Sequence, residues 1–122
     1  MSTRTILLAG IAASLIAAPA VAHHSFAMFD ATKTVTMNGT VKSFEWTNPH
    51  MWLTVTVDGT YYPLEMQGIA GAVRFGWKRD SVKSGDKITV DIHPLRDGTH
   101  GGQLVGVVLA SGQKLGVMGQ PN

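Results

Sequence analysis

The chain has 122 residues with ten Lys and Arg against eight Asp and Glu, so it is one domain's worth of sequence with almost no net charge. It has no cysteine, which excludes a disulfide framework, a thiol nucleophile and a thiolate metal site. The weak, scattered charge also argues against a nucleic-acid binder.

The first twenty-two residues read as a leader rather than as part of the fold. Arg4 supplies a positive start, Ile6 to Ala18 is an uncharged apolar run, and Ala20-Val21-Ala22 fits a small-residue cleavage site. Ala18-Pro19-Ala20 offers a second site two residues earlier. The apolar run is short for a membrane span, and no later stretch is long enough. The expectation is a cleaved signal peptide over 1–22, a mature arm over 23–33, and a β-domain over 34–118 in the periplasm. Removing Arg4 with the leader leaves nine cations against eight anions.

After the arm, residues 34–46 form the first strand region. Val35, Met37 and Val41 share one parity while Phe44 and Trp46 take the other, which implies a bulge, with Gly39 as the permissive residue nearby. Asn48-Pro49 ends this run. Residues 52–57 alternate as a second strand, Asp58-Gly59 is a hairpin turn, and 60–66 return as a third with Tyr62, Leu64 and Met66 inward. Residues 68–76 change to a helical period over about two turns. Ile88, Val90 and Ile92 mark a fourth strand over 87–93. Residues 103–109 form a fifth, apolar on both faces, and 114–117 a short last one. The whole is all-β with little helix. Three strands, a helix and two more strands is the order of a five- to six-stranded oligonucleotide/oligosaccharide-binding-like antiparallel barrel. A small antiparallel barrel of another topology is the competing arrangement.

The chemistry-bearing residues are five histidines, His23, His24, His50, His93 and His100. They fall at the arm, a turn, a strand end and a loop, and avoid strand interiors. Histidine is the commonest side-chain ligand for copper, zinc and nickel. Cleavage after Ala22 would give His23 a free α-amine beside its own imidazole, a chelate that one more imidazole completes as a three-nitrogen copper site. The amine, the next amide and the His24 imidazole form a second way to chelate Cu(II). Cleavage at the earlier site would take the amine away from His23. His50 shares strand parity with Trp52, and the loop 94–102 joins His93 to His100. In such a barrel the first-to-second and fourth-to-fifth strand loops border one surface, so His50, His93 and His100 are expected to converge. The His50-Met51-Trp52 cluster is similar to that of periplasmic copper-efflux metallochaperones, although their second methionine has no counterpart beside Trp52.

Trp46, Trp52 and Tyr61, with Trp77 as a further candidate, suggest a second reading, a stacking face for a glycan, lipid headgroup or protein partner. No phosphate loop, nucleophile elbow or H-E-x-x-H helix is present, so the sequence gives no case for an enzyme.

Several motifs together resemble a known family. They are Ala22-His23-His24-Ser25-Phe26-Ala27-Met28-Phe29-Asp30, Trp46-x-Asn48-Pro49-His50-x-Trp52, Gly85-Asp86, and His93-Pro94-x-Arg96-Asp97-Gly98. The chain resembles a family of small exported proteins of Gram-negative bacteria catalogued as domain of unknown function 6152. The resemblance implies an exported single domain and brings no activity or site residues with it.

Overall fold

Alternating apolar residues at 53, 55, 64, 88, 90, 92, 104 and 107 can be buried together only if the strands that carry them curl onto one another. In the computed structural model, which describes residues 26–116, they do so. A 3-10 turn at Phe26–Met28 precedes strands β1 (Val35–Glu45), β2 (Trp52–Val57) and β3 (Thr60–Glu65). Helix α1 (Ile69–Arg74) follows, then β4 (Lys87–Pro94), β5 (Gly102–Leu109) and β6 (Lys114–Gly116). Val117 and Met118, the end of the expected domain, lie outside the described residues.

The sheet order is β3-β2-β1-β4-β5-β6, and a further pairing of β3 with β5 closes the first five of these into a barrel. That closure corrects the expectation of a fully antiparallel barrel. Leu64 pairs with Gly102 and Glu65 with Gln103 in parallel, while the other ladders are antiparallel. The reason is the helix. A crossover through α1 and β4 lets β5 run alongside β3 in the same direction, which a tight hairpin cannot do.

The parity switch in the first strand is a bulge between Val41 and Ser43. It inserts Lys42, so Met37 and Val41 before it and Phe44 after it all face inward. The bulge lets β1 pair with β4 over its first half and with β2 over its second. The Asp58-Gly59 turn has both residues at positive φ, 49° and 78°, the geometry that tightens a two-residue hairpin.

With no disulfide, stability comes from the interior. Fully buried Leu53, Leu64, Leu104, Ile92 and Val90 each contribute roughly 1.5–3 kcal/mol by leaving water. Trp77, 1% exposed, packs against Phe44 with ring centroids 5.6 Å apart. Its indole N–H donates to the Gly116 carbonyl at 2.8 Å. Trp77 is therefore part of the interior and cannot belong to an exposed stacking face.

Candidate functional site

One rung of the barrel carries two of the candidate residues, Trp52 and His93. Glu45 on β1 pairs with Trp52 on β2, Trp52 with Glu65 on β3, Glu65 with Gln103 on β5, and Gln103 with His93 on β4. Paired residues share a face, and the neighbours Phe44, Leu53, Leu64, Leu104 and Ile92 occupy the inner one. So two carboxylates, an indole, an amide and an imidazole line the outside of one end of the barrel. With strands about 4.8 Å apart, His93 and Glu65 stand roughly 10 Å from each other across the sheet.

The loop before Trp52 explains why Asn48, Pro49 and His50 occur together. The Asn48 side-chain oxygen accepts from the Ile69 amide at 3.0 Å and so caps α1 from another part of the chain. The Pro49 carbonyl lies against Gly68, where a Cβ would stand only 2.8 Å from it, so only glycine fits. The Met51 amide donates to the Gln67 carbonyl, and the Met66 amide to the Met51 carbonyl. These bonds fix His50 over the end of β3. Its Nδ1 lies 3.0 Å from the Met66 carbonyl oxygen and 3.3 Å from Glu65 Oε1. A carbonyl only accepts, so Nδ1 carries the proton and the lone pair of the neutral ring is on Nε2. Glu65, 8% exposed, is thereby covered by a histidine that is 36% exposed. Met51 is fully buried, as its parity with Leu53 requires, and so is not a surface ligand of a metallochaperone kind.

His93 is held in the same way by a different partner. Its Nδ1 donates to the Lys33 carbonyl at 2.8 Å, which again leaves Nε2 with the lone pair. An imidazole whose Nδ1–H is fixed by a carbonyl or carboxylate has the orientation seen in metal-ligating histidines.

The residues after His93 hold the arm. Phe29 forms a bridge with Leu95 and is buried. The Asp30 amide donates to the Pro94 carbonyl, and the Arg96 amide to the Met28 carbonyl. Arg96 Nε donates to the Ala27 carbonyl at 2.9 Å, and its Nη1 is 3.9 Å from the Asp30 carboxylate. Asp30 is held below the ordinary carboxyl value of 3.8, first by the Thr32 hydroxyl, with desolvation opposing it and the Thr32 amide, Arg96 and Lys33 adding smaller contributions. Asp97 is lowered likewise by the hydroxyl and amide of Thr99. The segment His93 to Gly98 is thus a clamp on the arm. Sequence reasoning treated this segment as a histidine-bearing loop and missed the clamp. The available signal was the family resemblance, whose motifs include both Phe29-Asp30 and Arg96-Asp97-Gly98.

His100 stacks on Tyr62, with ring centroids 5.1 Å apart. The three described histidines therefore rest on different partners, and no group of three or more His, Cys, Asp or Glu able to hold a metal ion exists among the described residues. His23 and His24 lie outside the described residues. The expected aromatic face is divided. Trp46 packs on the core side with Phe44, at 6.0 Å between centroids, and carries Arg79 at 5.9 Å from its ring. Trp52 and Tyr61 lie on the outer face, with Tyr61 55% exposed and Lys42 Nζ 4.2 Å above its ring. The bulge at Lys42 decides this, because it puts Trp46 and Trp52 on opposite faces of the sheet.

Among the described residues no helix is long and apolar enough to cross a membrane. A family model described as a family of unknown function (DUF6152) matches residues 11–104. No curated protein and no solved structure matches the chain.

Proposed function

We propose, starting from a chain that belongs to the DUF6152 family of unknown function, that this small β-barrel is an exported protein that binds a transition-metal ion, copper foremost. After cleavage at Ala22, His23 supplies its α-amine and imidazole. His24, His50, His93 and His100 compete for the remaining positions. The role is carriage or sequestration of the ion rather than turnover.

The observation that carries this reading is the clamp. Arg96 holds the backbone at Ala27, and Leu95 holds Phe29. Three residues of chain keep the His24 Cα within about 11 Å of that of Ala27. The arm is therefore tied to the loop that runs from His93 to His100. His93 contributes an Nε2 lone pair on a ring already oriented by Lys33. In this reading His23 or His24 joins His93 at the rim, the described residues by themselves containing no group of three or more His, Cys, Asp or Glu able to hold a metal ion. A nitrogen-rich set of this kind suits tetragonal Cu(II).

The test is intact-mass analysis of the exported protein together with Cu(II) titration of the same sample. We expect a first residue of His23, about one Cu(II) per chain, and weakened binding when the N-terminus is acetylated or extended. Cleavage elsewhere, or affinity no better than that of free histidine, ends the proposal. A second reading is favoured by the exposed Tyr61 ring, which lies on the same outer face of the sheet as Trp52. In it, that face takes a glycan, lipid headgroup or protein partner without any metal, and Trp52→Ala abolishes association while chelators have no effect.

A further inference from the structure

Charge is unevenly placed on this nearly neutral protein. Arg74, Lys78, Arg79, Lys83 and Lys87 fall within residues 74–87, opposed only by Asp80 and Asp86. The remaining described residues carry four cations, Lys33, Lys42, Arg96 and Lys114, against six carboxylates. The strip from the end of α1 to the start of β4 is thus formally +3, and the rest of the described protein −2.

All five cations of the strip are exposed. Among the described residues none of them has a carboxylate within ion-pair distance; the ion pairs lie at the arm and at His50. The backbone beneath them is closed into successive turns. Phe75 and Gly76 return their amides to Ala72 and Val73 at the end of α1. The Ser81 amide donates to the Lys78 carbonyl, and the Lys78 amide to the Ser81 hydroxyl oxygen. The Asp86 amide donates to the Lys83 carbonyl, and the Lys83 amide to the Asp86 carboxylate, so Asp86 serves its own turn. Buried Trp77 and Val82 anchor these turns in the end of the barrel. The cations therefore stand on a fixed scaffold. Beside Arg74, the Val73 side chain is 53% exposed.

We propose that this strip docks the barrel onto an anionic phospholipid bilayer. Lysine and arginine flanking an exposed aliphatic side chain is the composition of a peripheral membrane contact: the cations meet lipid phosphates and the apolar group enters the headgroup boundary. A nucleic acid would be expected to use exposed aromatic rings or a groove-entering element, and the strip has neither. Its own indole, Trp77, is buried, and Trp46 is already covered by Arg79. An acidic protein partner would use the cations but gives no specific role to Val73. The attachment is short-ranged, because the Debye length is about 8 Å at physiological salt. Each basic residue close to the surface contributes a factor of about five in partitioning. The inference does not depend on metal binding.

The experiment is co-sedimentation of the processed protein with vesicles of equal parts phosphatidylglycerol and phosphatidylcholine, with phosphatidylcholine alone as the comparison, in chelator and again in copper. Binding is expected to the anionic vesicles only, with release by about 0.5 M salt. The variant R74E/K78E/K83E should lose roughly 100-fold in partitioning or more. The variant K33E/K42E/K114E changes the net charge equally, away from the strip, and should stay within a few-fold of the unaltered protein. Val73→Ser should weaken binding while leaving the charge unchanged. All of these side chains except that of Val73 are exposed charges, and a thermal melt of each variant verifies the fold. Equal loss in both triple variants, equal binding to neutral vesicles, or no binding to anionic vesicles at low salt would each overturn the inference.

Discussion

Arg96 Nε donates to the carbonyl oxygen of Ala27 across 2.9 Å. Sixty-nine residues separate the two along the chain, and the bond joins the start of the described protein to the loop that leads out of β4. Together with the Phe29–Leu95 bridge, it makes the arm an extra partner of the barrel rather than a tail. It also gives the Arg-Asp-Gly sequence a role. Arg96 grips the arm, Asp97 binds the amide and hydroxyl of Thr99, and Gly98 turns the chain at φ 79°.

Arg96→Ala is therefore expected to free the arm while leaving the barrel intact. Amides of Met28 to Asp30 should exchange faster, and the thermal midpoint should move little because the Arg96 side chain is largely exposed. If the proposed copper site uses the arm, Cu(II) affinity should fall about tenfold, which corresponds to about 1.4 kcal/mol. Competition titration measures this. Unchanged affinity with a released arm would separate the clamp from the ion.

Arm docking should also depend on acid. The folded Asp30 carboxyl titrates below its ordinary value of 3.8 because Thr32, then Arg96 and Lys33, favour the ionised form. A depressed folded value means that the stabilisation is fully present above the unfolded value and is lost as pH falls through the folded one. Protection of the Asp30 and Arg96 amides should hold at neutral pH and fade below about pH 4. Asp30→Asn should remove that dependence and show weaker docking already at neutral pH. Protection that persists unchanged into stronger acid would contradict the assignment.

The cap supplied by Asn48 can be tested separately. Asn48→Ala leaves the Ile69 amide without its acceptor and should cost about 1 kcal/mol. Asn48→Asp keeps an acceptor oxygen and should cost less. Denaturant unfolding gives both values, and equal losses would mean that the capping bond adds nothing.

Gln67 gives a prediction of the opposite sign. Its side chain is buried, and among the described residues neither amide atom has a hydrogen-bond partner. An unpaired buried amide costs roughly 1–3 kcal/mol. Gln67→Met, which has nearly the same shape, should therefore stabilise the protein by about 1 kcal/mol. A Cβ at Gly71 would come within 2.7 Å of Gln67 Oε1, so the Gln67 side chain would have to shift to admit a larger residue there. A destabilised Gln67→Met variant would show that the amide is satisfied in solution.

The strands were legible because apolar residues alternate along them. Trp52–Val57 and Thr60–Glu65 follow directly from period-two patterning and the Asp58-Gly59 turn. The bulge could be read from the parity change between Val41 and Phe44, since an extra residue is the only way for both to reach the interior. The candidate site was legible only in part. Residue type marked His50 and His93 as possible ligands, but no local pattern shows that Met66 and Lys33 would supply the carbonyls that orient them.

The sequence by itself determined the order of the strands, the short helix and the absence of any disulfide staple. Those properties follow from short-range periodicity and composition. Only the tertiary structure decided the parallel closure of β3 on β5, the division of Trp46 from Trp52, the clamp on the arm and the separate partners of the three histidines. Each depends on which distant backbone groups meet when the barrel closes, and that depends on strand register, which local hydrophobic patterning leaves open.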